Sequence, residues 1–154
     1  MEDLETMRNI LSENNYPLEY DAENWRKCLR ANCYVYALGL EIDEGLLIGD
    51  IIGKRVTKHD SIQEHIDVLV EELEFLGFYV DTCDTLDLVG EGCFKIFVEW
   101  NEKREYHFYR QDNDGRWSHK ASGKYPTQFD SDGCFIYNPE EIALVGRCFI
   151  ISNF

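Results

Sequence analysis

The stretch that most restricts the fold is Tyr106 to Lys120, YHFYRQDNDGRWSHK. Two aromatic-rich arms flank Asp112-Asn113-Asp114-Gly115, a run whose residue types favour the tight backbone of a hairpin turn. If Asn113, Asp114 and Gly115 form a three-residue loop, the glycine takes the left-handed position without steric penalty. Asp112 then faces Arg116, and Tyr109 faces His119. That register sets His107 and His119 on one face as diagonal neighbours, roughly 5–8 Å apart at the backbone. Ser118 points the other way. A two- or four-residue loop would place the histidines on opposite faces, because side chains alternate along a strand.

The elements before the hairpin read as helical. Leu4, Met7 and Leu11 recur at helical spacing over residues 2–13, and Asn14-Asn15-Tyr16-Pro17 ends that segment. Asn32 can cap a short apolar helix from Cys33 to Leu38, stopped by Gly39. Residues 40–58 read as loop and a short strand. Ser61 and Glu64 form a capping-box pattern, followed by the apolar stripe Ile62, Ile66, Leu69, Leu73 and Leu76 with Gly77 as the stop. From Phe78 the pattern becomes β. Phe94, Ile96, Val98 and Trp100 alternate as a half-buried strand. Segments 134–137 and 147–152 read as closing strands, joined through a helical turn near 140–144. Helices first and an antiparallel sheet after them predict a single α+β domain over residues 1–154, with N-terminal helices packed on the sheet.

Composition narrows the function. The net charge is −15, and residues 41–92 carry fourteen acidic against three basic side chains. That balance argues against direct nucleic-acid binding. No apolar run approaches the ~20 residues of a membrane span. The opening MEDLETMRNI lacks the basic and apolar regions of a signal peptide, which predicts a cytoplasmic protein with its six cysteines reduced. No CxxC pair is present, so a structural zinc site is not expected; no other metal site and no cofactor are expected either. His59 and His65 read as surface residues, and Cys83, Cys93, Cys134 and Cys148 as structural.

The candidate chemistry centres on Cys33. A cysteine nucleophile needs its thiolate, and free N–H groups at a helix start lower a thiol pKa. It also needs an imidazole to carry the proton, and that imidazole needs an orienter on its other nitrogen. His107 fits as acid/base and His119 as orienter. The oxyanion would meet the Cys33 backbone N–H and a second donor. Tyr20, Asn24 and Asn32 are candidates for that donor, and Tyr34 joins them as a binding residue.

A cysteine opening a short helix, a histidine on a strand and a polar residue on the next strand resemble the papain-like cysteine peptidases. The twelve-residue spacing from His107 to His119 is similar to the NlpC-type branch, whose third residue is commonly a histidine. An aromatic after the cysteine, here Tyr34, is closer to papain and the CHAP amidases. The Ser-Gly that follows the cysteine in NlpC-type proteins is missing here, and Lys27 stands where papain-type enzymes place a glutamine. The resemblance implies a papain-like, NlpC-like core. It also implies a Cys-His-His hydrolase acting on a peptide, amide or thioester.

The other function class is a non-catalytic acidic interaction protein, of the kind that inhibits or mimics nucleic acid and blocks a basic partner. On the 61–76 helix the apolar stripe takes one face, which leaves Glu64, Asp67, Glu71, Glu72 and Glu74 as the interaction surface.

Overall fold

The computed structural model describes residues 1–153. Three α-helices precede a five-stranded antiparallel sheet, so the fold is α+β. Helix α1 spans Leu4–Glu13, α2 Cys33–Ala37 and α3 Ile62–Phe75. The strands are β1 Phe78–Thr82, β2 Cys93–Trp100, β3 Tyr106–Gln111, β4 Trp117–Ser118 and β5 Val145–Asn153. Their order across the sheet is β1-β5-β2-β3-β4. Short 3-10 helices at Glu23–Cys28 and Pro139–Glu141 fill connections.

Local chemistry accounts for the helices. The Asp3 side chain accepts from the Thr6 N–H at the start of α1, and Ser61 accepts from the Glu64 N–H at the start of α3. Asn32 accepts from the Val35 N–H and so starts α2 at Cys33. Such caps contribute about 1 kcal/mol each. The apolar faces then meet one side of the sheet. Met7 and Leu11 of α1, Tyr34 to Ala37 of α2 and Leu69 and Leu73 of α3 pack with Phe94, Ile96, Val98, Trp100 and Phe108 in one core. Burying a side chain of the Leu69 kind stabilises by roughly 2 kcal/mol. The alternate residues Phe97, Tyr109, Trp117 and Cys148 line the opposite face and form a second, smaller cluster with Ile136. The two faces separate the core that holds the fold from the face that carries the histidines.

The structure departs from the sequence reading at four places. Residues 40–58 form turns instead of a strand. The reason is Glu72, which is 0% exposed and not part of an acidic surface. Its carboxylate accepts from the Tyr34 hydroxyl at 2.6 Å, the Gly49 N–H at 3.1 Å and the Ile51 N–H at 2.9 Å. A buried carboxylate needs such donors, and the turns at 47–54 supply them. His65 is likewise buried, not at the surface: Nε2 meets the Thr57 carbonyl at 2.7 Å, and Nδ1 accepts from the Trp100 indole at 3.0 Å. The returning arm of the hairpin pairs as a strand only at Trp117–Ser118, and segment 134–137 contributes isolated bridges, Trp117 to Ile136 and Phe129 to Phe135.

Candidate active site

The hairpin has the expected register. Arg110 pairs with Ser118 and Gln111 with Trp117. The Asp112 N–H donates to the Arg116 carbonyl at 2.8 Å, closing a three-residue loop in which Gly115 has φ +87°. His107 and His119 therefore share a face. Their rings meet edge to face with centroids 5.0 Å apart, and His107 Nε2 lies 2.8 Å from His119 Nδ1.

The direction of that bond follows from its neighbour. His119 Nε2 lies 3.0 Å from the Phe129 carbonyl oxygen, which can only accept. Nε2 of His119 therefore carries a proton. In the neutral pair His119 Nδ1 is then an acceptor and His107 Nε2 the donor. His107 Nδ1 is left with its lone pair, and Nδ1 is the nitrogen nearer the main chain of its own residue. Burial, reinforced by the charge of His119, pushes the His107 pKa down to about 4. The ring is thus held neutral through the physiological range.

Cys33 lies beside the same strand from the helix side. The Phe108 backbone N–H, in the peptide that joins His107 to Phe108, is directed at the Cys33 sulfur, as are the N–H groups of Tyr34 and Cys33 itself. These donors favour a thiolate, but burial outweighs them and raises the thiol above its ordinary value. Cys33 therefore rests as a thiol, where the sequence chemistry anticipates a thiolate.

Four inward-facing side chains of the hairpin fasten it to α2 and its lead-in. The Tyr36 hydroxyl of α2 and the Ser118 hydroxyl are 2.6 Å apart, and Ser118 donates to Asp112 at 3.0 Å. Arg110 donates to the same carboxylate at 2.9 Å and lies 4.2 Å over the Tyr36 ring. Lys120, next to His119, reaches back to the carbonyls of Leu29 and Ala31, just before Asn32. Sequence reasoning placed Ser118 on the face opposite the histidines but gave none of these residues a part in holding the site. The alternation that puts His107 and His119 on one face puts Arg110, Asp112 and Ser118 on the other, against the helices. Three polar residues facing a core were the signal.

The other expected site residues fare differently. Asn32 is committed as the cap of α2, and its amide also donates to the Leu46 carbonyl at 2.7 Å. Tyr34 is 0% exposed, stacks on Phe108 and donates to Glu72, so it cannot meet a substrate as the sequence reading expects. Asn24 is exposed and bonded to Glu41. The Tyr20 hydroxyl donates to the Pro126 carbonyl at 2.8 Å, on the segment whose Thr127 pairs with His119. Of the acidic residues on α3, Glu64, Asp67, Glu71 and Glu74 are exposed and Glu72 is not. Beside His107 opens a cavity of about 310 Å³ lined by Glu99, Glu102, Glu105, Ile142 and Leu144.

No family model matches the chain, and no solved structure matches it. The chain is similar to insoluble matrix shell protein 1 of Ruditapes philippinarum. The two are 28% identical over 123 residues, which span 78% of this chain and 77% of that protein. Among the described residues no helix is long and apolar enough to cross a membrane.

Proposed function

We propose that the protein is a papain-like thiol hydrolase that cleaves or transfers an amide or thioester acyl group, with Cys33 as nucleophile, His107 as acid/base and His119 as orienter. One observation carries this reading. The His107–His119 bond leaves His107 Nδ1 free, and the Cys33 sulfur faces the backbone N–H of Phe108, the next residue on the same strand. The thiol attacks the substrate carbonyl and passes its proton to Nδ1. The tetrahedral intermediate collapses as Nδ1 returns that proton to the leaving nitrogen or sulfur. Water, deprotonated by Nδ1, then releases the acyl group from Cys33. The Cys33 N–H holds the oxyanion. The substrate is a peptide or other amide that enters past the cavity beside His107. A cytoplasmic setting, which keeps the thiols reduced, belongs to this reading.

A second reading rests on the acidic face of α3. Glu64, Asp67, Glu71 and Glu74 are exposed together, and the relative's name sets that protein in an insoluble shell matrix. A non-catalytic protein could dock this face on a basic partner. One pair of variants separates the readings in a single functional assay. The hydrolase reading expects Cys33→Ala to abolish function and charge reversal at Glu71 and Glu74 to spare it. Full function in Cys33→Ala, with loss on charge reversal, would establish the acidic surface instead.

A further inference from the structure

The sulfurs of Cys83 and Cys148 stand 2.9 Å apart, under about 1 Å more than a disulfide bond. Strand pairing brings them together. The register of β1 with β5 ends at Thr82 opposite Phe149, and it runs on by one residue, where the Cys83 N–H donates to the Cys148 carbonyl at 3.2 Å. Directly opposed residues of an antiparallel pair hold their Cβ atoms about 4.5–5.5 Å apart, against about 3.5–4.5 Å in a disulfide. Closure therefore asks for a small approach and no change of register. Both residues are free thiols. Cys83 is partly exposed and Cys148 is buried, so a reagent in solution meets Cys83 first. The hydrogen bond from Cys148 and then the nearby charge of Lys95 draw the Cys83 thiol below its ordinary value, against an opposing effect of burial. Lys95 is held in place by the carbonyls of Asp84 and Asp87, each at 2.6 Å.

We infer that Cys83 and Cys148 form a dithiol site that closes to a cross-strand disulfide, with a small disulfide of the glutathione class as electron acceptor. The Cys83 thiolate attacks one sulfur of glutathione disulfide and expels a glutathione thiolate, leaving a mixed disulfide on Cys83. Cys148 then attacks the Cys83 sulfur and expels the second glutathione thiolate. The two protons lost by the protein end on the two glutathione thiols. The new bond ties the end of β1, and the 84–92 loop that leaves it, to β5. This chemistry is independent of Cys33.

The test uses the full chain, reduced, desalted and incubated with glutathione disulfide at neutral pH. Remaining thiols are then alkylated and the protein is mapped by mass spectrometry without reduction. The expected product is a linked peptide pair, two hydrogens lighter than its parts, with fragmentation assigning the bond to Cys83 and Cys148, while Cys93 is alkylated. In Cys148→Ser, Cys83 should stop as a stable glutathione adduct. A wild-type protein that halts at that adduct would overturn the inference. So would one whose Cys83 stays free while the exposed Cys134 is modified, or one that links either cysteine elsewhere.

Discussion

His107 Nε2 donates to His119 Nδ1 at 2.8 Å, and the Phe129 carbonyl 3.0 Å from His119 Nε2 fixes the direction of that donation. A backbone carbonyl 22 residues along the chain from His107 thus determines which nitrogen of His107 keeps its lone pair. Burial then holds that ring neutral.

The buried neutral ring makes stability depend on pH. The folded pKa of His107 is lowered from 6.5 to about 4. Above about pH 6.5 both folded and unfolded chains leave the ring neutral, and the folded state bears no penalty. As the pH falls toward 4, the unfolded chain takes up a proton that the folded chain refuses. Stability should therefore fall across that window by up to about 3 kcal/mol. Urea unfolding from pH 7 to pH 4 measures it, and His107→Gln should flatten that part of the profile. An unchanged profile in the variant would mean that His107 is not held neutral.

Burial also defines the resting state of Cys33. The thiol is raised above its ordinary value of 9.0. The ultraviolet thiolate absorbance that differs between wild type and Cys33→Ala should be absent at pH 7 and appear only above pH 9. A thiolate at pH 7 would mean a preformed ion pair with His107, with the proton already on Nδ1.

Much of the site is legible in the sequence because turn chemistry is local. Asn113-Asp114-Gly115 specifies an odd loop, the loop specifies the register, and alternation then places His107 and His119 together. The capping asparagine likewise marks the start of the helix at Cys33. Glu72 and His65 were not legible. On a helical wheel they read as polar residues free to face water, yet each is buried because distant partners satisfy it. Tyr34, Gly49 and Ile51 serve Glu72, and Thr57 and Trp100 serve His65. Periodicity reports which residues are apolar. It does not report which turn, many residues away, will offer its N–H groups to a carboxylate.

The contrast between Glu72 and its neighbours on α3 is measurable. Glu72→Ala leaves several buried donors without an acceptor and should cost about 3–4 kcal/mol. Charge reversal at Glu71 and Glu74 should leave the fold intact. Glu71 loses an exposed ion pair with Lys54, 2.8 Å long, which contributes at most about 1 kcal/mol. Urea midpoints of the variants test both statements. Equal effects would mean that Glu72 is as solvated as its neighbours.

The most direct measurement of the central claim is acylation of Cys33 by a small acyl thioester at neutral pH, followed by intact-mass and peptide analysis. Cys134, which is exposed, is the internal reference. The account predicts that Cys33 is acylated faster than Cys134. It also predicts that His107→Ala slows Cys33 by about 100-fold, the scale of a lost general base, while leaving Cys134 unchanged. Acylation confined to Cys134, or a Cys33 rate indifferent to His107, would contradict it.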